Sequence, residues 1–268
     1  MKTIKTLILP LIALVMVLLS SCATSKRAPE RFFVKEMNGI SFQKMDISSI
    51  FTVEFTKADE YKVEVILSEK LKPYLILEIQ DGRLVIGMTE TRKGLKQVHK
   101  EDAVVKISAP TFSEVVLSGA VTLFLEGDWQ LDRASFCLSG ASNLIGGNIE
   151  AENLSIVQSG ASSFNSPVSA EHLYVDQSGA ASLYLGAANP KVGTTLTVDA
   201  SGASVLYLEK VPFEQVKLDA SGASKVFVYP VKQIVASVSG CSSIKYVDSS
   251  GILQKDFDQS GMASVRKL

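Results

Sequence analysis

The chain has 268 residues, 46% of them hydrophobic, with 27 Lys and Arg against 28 Asp and Glu. A formal net charge of −1 leaves no basic field to recruit nucleic acid or an anionic membrane surface. The length suits one large domain with a real core, and the three cysteines include no Cys-x-x-Cys pair, which excludes a structural zinc site of that kind.

The first segment reads as a secretory signal over residues 1–21. Lys2 and Lys5 give a basic start, and Leu7 to Leu19 is apolar apart from Pro10. That run is short for a membrane span. Leu19-Ser20-Ser21-Cys22 then resembles a bacterial lipobox, with cleavage before Cys22 and acylation of its thiol. Acyl chains anchor a protein to a membrane because each buried methylene adds about 0.8 kcal/mol. Removing the signal leaves 247 residues with 25 basic side chains, since Lys2 and Lys5 go with it. Residues 22–38 read as a tether, polar over Thr24 to Glu30.

Residues 39–110 are strand-rich and form an N-terminal β segment. Phe51 to Phe55 and Tyr61 to Val65 alternate apolar and polar. Leu75 to Ile79 and Leu84 to Met88 flank Asp81-Gly82, a hairpin signal. Thr89 to Glu101 reads as an exposed polar loop carrying His99. This segment starts the stack that follows and caps its end.

Residues 111–268 repeat. A Ser-Gly-Ala triplet returns six times, from Ser118-Gly119-Ala120 to Ser221-Gly222-Ala223, followed by the drifted copies Ser239-Gly240-Cys241 and Ser260-Gly261-Met262. The glycines are 18 to 23 residues apart. Three residues before each serine stands a residue such as Val115, Phe136 or Leu218, and five after it one such as Leu123, Phe164 or Ile244. Both columns are apolar in all eight copies, and apolar residues alternate along each arm. Each repeat therefore holds a strand, a corner at the triplet, a second strand and a variable loop. A corner of constant sequence at constant period points to stacked coils rather than to hairpins. Propeller blades are excluded, because each takes about 40 residues. Glycine supplies a corner where φ is positive, and the triplet serines are expected to pass hydrogen bonds between coils. Cys137 and Cys241 lie five coils apart, about 24 Å at the usual strand spacing, so both are expected to be free thiols.

The repeats, with a preceding segment like Ile50 to Gly87, resemble the bacterial family called the putative auto-transporter adhesin, head GIN domain. The resemblance covers about residues 40–268. It implies an all-β, right-handed parallel β-helix-like solenoid, carried behind a lipoprotein signal in Bacteroides-like bacteria. No catalytic motif comes with it. Cys241 and Met262 depart from the family pattern, which has alanine there.

Candidate chemistry lies beside the triplets. Asp176, Asp199 and Asp219 stand two residues before successive serines, so strand parity turns them outward as a carboxylate column. Stacked at strand spacing they repel by roughly 3 kcal/mol per pair at an effective dielectric of 20. Calcium is the candidate cofactor that would relieve this. Tyr184 and Tyr207 lie six residues after their serines and also face outward, as a candidate ligand surface for sugar or protein. Tyr174, Tyr229 and Tyr246 fall in other coils as further exposed aromatics, and Trp129 reads as a loop singleton. The serines lack a triad context, since His99 and His172 are the only histidines. The sequence reads as a non-catalytic, lipid-anchored envelope protein that binds a glycan or protein. The alternatives are a structural spacer and a β-helix polysaccharide-degrading enzyme. Its site is the outer membrane. The periplasmic face is favoured, because Ala23-Thr24-Ser25-Lys26-Arg27 follow Cys22 with no acid before Glu30.

Overall fold

Alternation sets the strands. In Phe51 to Phe55 the odd-numbered residues Phe51, Val53 and Phe55 are fully buried, while Thr52 and Glu54 turn away from the core. The computed structural model describes residues 32–89, 103–189, 191–249, 251 and 253–268. The signal, Cys22, most of the tether and His99 lie outside the described residues.

Seven strands precede the repeats: β1 (Phe32–Asn38), β2 (Lys44–Ile47), β3 (Thr52–Lys57), β4 (Lys62–Ser68), β5 (Leu75–Gln80), β6 (Arg83–Met88) and β7 (Ala103–Ala109). The first coil corners join β8 (Glu114–Leu117), β9 (Thr122–Leu138), β10 (Asn143–Gln158), β11 (Ser163–Gln177) and β12 (Ser182–Ala187). The later coils use β13 (Gly193–Ala200), β14 (Val205–Ala220), β15 (Lys225–Val238), β16 (Ser243–Tyr246), β17 (Gln254–Gln259) and β18 (Ser264–Lys267). All are hydrogen-bonded into one continuous sheet, wound as a β-solenoid of about eight turns. Among the described residues, no helix is long and apolar enough to cross a membrane.

The apolar columns align as the repeat predicts. Val115, Phe136, Ile156, Val175, Val198, Leu218, Ala236 and Phe257 are in parallel register from coil to coil. The column through Leu123, Leu144, Phe164 and Leu183 does the same on the other arm. Both columns are buried until the last coil, where Phe257 and Val265 are half-buried. The long strands β9, β10 and β11 run through the expected variable loop, which survives only as register shifts such as that between Ile145 and Ile149.

The corner works through backbone. The N–H of the third triplet residue donates to the glycine carbonyl of the coil before, as in Ala141 to Gly119 at 2.7 Å and Ala161 to Gly140 at 2.8 Å. Gly160 has φ of 71°, and a Cβ there would meet the Gly140 carbonyl at 2.7 Å. Glycine is therefore required twice over, by conformation and by space. The triplet serines pass hydrogen bonds between coils as expected, but through backbone: the Ser139 N–H donates to Leu117 O and the Ser159 N–H to Leu138 O, both at 2.9 Å. Among their hydroxyls, Ser139 Oγ adds a long bond to Leu117 O at 3.5 Å. The buried hydroxyls lie three residues later, in Ser142, Ser162, Ser204, Ser224 and Ser242, beside the fully buried Gln158 and Gln177.

The N-terminal segment does start and cap the stack, but chain order and spatial order differ. β2 and β3 form a coil of their own, wedged between β6 and β7 on one side and β8 and β9 on the other. β5 and β4 then close that end antiparallel, on β6 and β7. The hairpin at Asp81-Gly82 forms as expected, with φ of 49° and 72°. Residues 32–38 are not tether but β1, paired antiparallel with β4. Trp129 is not a loop residue; it is buried against Phe55 and Phe112, each ring 4.8 Å away, because β9 continues through its position.

The other end closes with charge. Lys255 occupies an inward register position opposite Ile234. Its Nζ lies 2.9 Å from Asp248 Oδ2 and over the Tyr246 ring at 5.4 Å. A charged side chain on the last strands, lysine above all, is a known way to blunt a sheet edge.

Candidate functional site

The outward columns beside the corners are where partners can reach the protein. Six residues after the triplet serines, Tyr184, Tyr207 and Phe227 stand in register on three successive coils. Tyr184 and Tyr207 stack with centroids 4.8 Å apart and planes 12° from parallel, and Tyr207 and Phe227 repeat this at 4.8 Å and 10°. The ring separation equals the strand spacing, so the sheet itself sets the stack. Lys245 Nζ lies 5.5 Å over Phe227 and covers one end. At the other end Asn165 is in register with Tyr184, so the run of rings ends there. Tyr184 is accordingly 42% exposed. Farther along the same column Ile145 and Phe124 are exposed too.

The structure thus brings Tyr184 and Tyr207 together and adds Phe227. Sequence reading missed Phe227 by following tyrosines rather than the column offset, which it shares. Of the other tyrosines, Tyr246 is buried beneath Lys255 rather than exposed. Tyr229 donates its hydroxyl to Ser249 Oγ at 3.0 Å.

On the other side of the corner, Asp176, Asp199 and Asp219 are in direct register and line a shallow cleft of about 290 Å³ with Ser201, Ser221 and Ser237. Asp199 Oδ2 accepts from the Tyr174 hydroxyl at 3.2 Å. Burial, with the Asp176 and Asp199 carboxylates close by, pushes the Tyr174 phenol up. Among the described residues, no group of three or more His, Cys, Asp or Glu is disposed to hold a metal ion. Cys137 and Cys241 are both free, and burial raises the Cys137 thiol above its ordinary value. His172 Nδ1 is hydrogen-bonded to Thr195 Oγ1 at 2.8 Å rather than to a triplet serine.

Several solved structures share this architecture. A putative adhesin from Parabacteroides distasonis ATCC 8503 superposes with a TM-score of 0.78 at 15% identity, covering 90% of this chain and 98% of its own. A putative adhesin from Parabacteroides merdae ATCC 43184 gives 0.74 at 16% identity, covering 89% and 96%. A protein described as a putative lipid binding protein from Parabacteroides distasonis ATCC 8503 gives 0.73 at 14%, covering 89% and 97%. At these identities the likeness is one of fold. No curated protein matches the sequence. Residues 41–249 match the family described as "Putative auto-transporter adhesin, head GIN domain", and with that match spanning most of its length the chain belongs to this family.

Proposed function

We propose that the protein is a non-catalytic binding module of the cell envelope, tethered through an acylated Cys22 to the outer membrane on its periplasmic face. It engages a glycan or protein partner through the aromatic ladder of Tyr184, Tyr207 and Phe227. The ladder is the observation that carries this reading. Three stacked rings on an outer sheet face, one of them 42% exposed, present a rigid apolar surface to water. Aromatic residues are enriched where surfaces bind partners. Non-catalytic action is supported by His172, the one histidine among the described residues, being bonded to Thr195 rather than to a triplet serine, and by a family described in terms of adhesion.

The test is a glycan and protein array probed with the secreted domain, beside a Y184A/Y207A double variant of the same melting temperature. Binding by the native domain that the double variant loses supports the reading. If every partner on the array binds both forms equally, the ladder fails as a contact surface. For the anchor, Cys22→Ser should move the protein from the membrane fraction to the soluble one; unchanged membrane retention would refute it.

A further inference from the structure

A groove runs along the solenoid axis before the corner, on the other side from the ladder. Its wall is one side chain per coil: Arg133, Asn153, His172, Thr195, Gln215 and Gln233, all in parallel register. The facing row includes Ser135, Ser155, Tyr174, Thr197 and Lys217. Two adjoining stretches of about 510 and 300 Å³ share Thr195 and Thr197, so the groove is continuous. Over these six coils it extends about 24 Å at the usual strand spacing.

We propose that this groove binds a linear glycan laid along the axis, with an isolated carboxylate on the sugar that meets Arg133. The inference rests on the binding reading above and names a ligand class on a second face. The lining supplies amides, hydroxyls and an imidazole, which both donate and accept as sugar hydroxyls require. The Thr195 bond holds the His172 ring in place. The floor at Ser135 and Ser155 is small and shallow, and Tyr174, 39% exposed, offers a ring for a pyranose face. One polar side chain per coil suits a polymer that advances by a similar step per unit. A peptide strand fits less well. The backbone groups of these strands are used in coil-to-coil pairing, so no edge is offered for strand addition.

Charge sets where the acid group lies. Among the described residues Arg133 has no ion-pair partner, whereas Glu114 at the same end is held by Arg83 at 3.0 Å and Lys44 at 3.7 Å. Toward the other end, Asp176, Asp199 and Asp219 occupy the next row and outnumber Lys217 of the facing row, so that end repels anions on balance. A chain with a carboxylate on every unit is therefore disfavoured, and an alternating one is accepted.

The experiment is titration calorimetry of the secreted domain with hyaluronan oligosaccharides, whose carboxylates alternate with neutral sugars, and with neutral cellohexaose. Affinity for hyaluronan should rise with length up to the span of the groove and exceed that for cellohexaose. R133A should cost about tenfold, the size of one charge-assisted hydrogen bond, and bring hyaluronan down to the neutral level. Y174A should weaken both ligands, and Y184A/Y207A neither. Absence of hyaluronan binding overturns the groove assignment, as does full affinity in a folded R133A. Loss of binding in Y184A/Y207A alone would place the glycan on the ladder, overturning this inference while leaving the proposed function standing.

Discussion

Ser49 lies directly against Gly119 in the corner column, although its own triplet, Ser48-Ser49-Ile50, keeps only the serine of the repeat. The Ala120 N–H donates to Ser49 O at 2.7 Å, and a Cβ on Gly119 would sit 2.5 Å from that oxygen. Ser49 takes φ of 84°, the left-handed conformation that glycine holds in the other corners. Its hydroxyl accepts from the Met88 N–H at 3.1 Å, a bond that offsets the strain.

This pairing separates two substitutions. Ser49→Gly relieves the strain but loses the hydroxyl, so its stability should stay close to native. Ser49→Ala keeps the strain and removes the acceptor, and should cost about 1–2 kcal/mol. Urea midpoints distinguish them; equal midpoints would contradict the account.

Gly160 and Gly82 have almost the same φ, 71° and 72°, in different surroundings. A Cβ on Gly160 meets the Gly140 carbonyl at 2.7 Å, while one on Gly82 meets nothing within 4 Å. Gly82→Ala should cost about 1 kcal/mol from conformation alone. Gly160→Ala should cost about 2–4 kcal/mol, since displacement of the stacked coil is added. Thermal melts of the two variants check the order.

Gln177 is fully buried, and neither end of its amide has a hydrogen-bond partner within the protein. Gln177→Leu removes that burden at nearly equal volume. It should raise stability by about 1–2 kcal/mol, read as a higher urea midpoint with an unchanged m-value. A fall in the midpoint would show that the amide is satisfied in solution.

The Lys255 hydrogen bond, then the Gly251 N–H, holds the Asp248 carboxyl below its ordinary range. A depressed carboxyl contributes stability above its unfolded pKa, about 3.9, and loses it as pH falls through the folded value. The last coil should therefore loosen in acid, with lower amide-exchange protection factors in β17 below about pH 4. Asp248→Asn should show that lowered protection already at neutral pH. It should also self-associate more readily, because Lys255 no longer has its anchor over Tyr246. Light scattering and exchange at the two pH values test both statements.

The corner shows how far the sequence could be read. Eight triplets with apolar residues three before and five after state the coil directly, because a buried face of period two leaves its mark residue by residue. The coil through Ser49 obeys the same offsets, with Met45 and Val53 buried, yet it was hidden because its corner glycine is replaced by a strained serine. The outward parity of Tyr184 and Tyr207 was equally legible, since both share one offset from a visible corner. Trp129 was not, because its burial depends on Phe55 and Phe112, which are distant in the chain.

The sequence alone determined the stacked-coil class, the corner and the inward and outward columns, since these follow from local period and from glycine's conformational freedom. Only the tertiary structure decided which coils are neighbours. Hydrogen bonding between strands is indifferent to chain order, so residues 44–57 could be inserted between coils from elsewhere in the chain. The same stacking turned isolated exposed residues into an aromatic ladder and an axial groove, because a surface feature spanning coils exists only once their register is set.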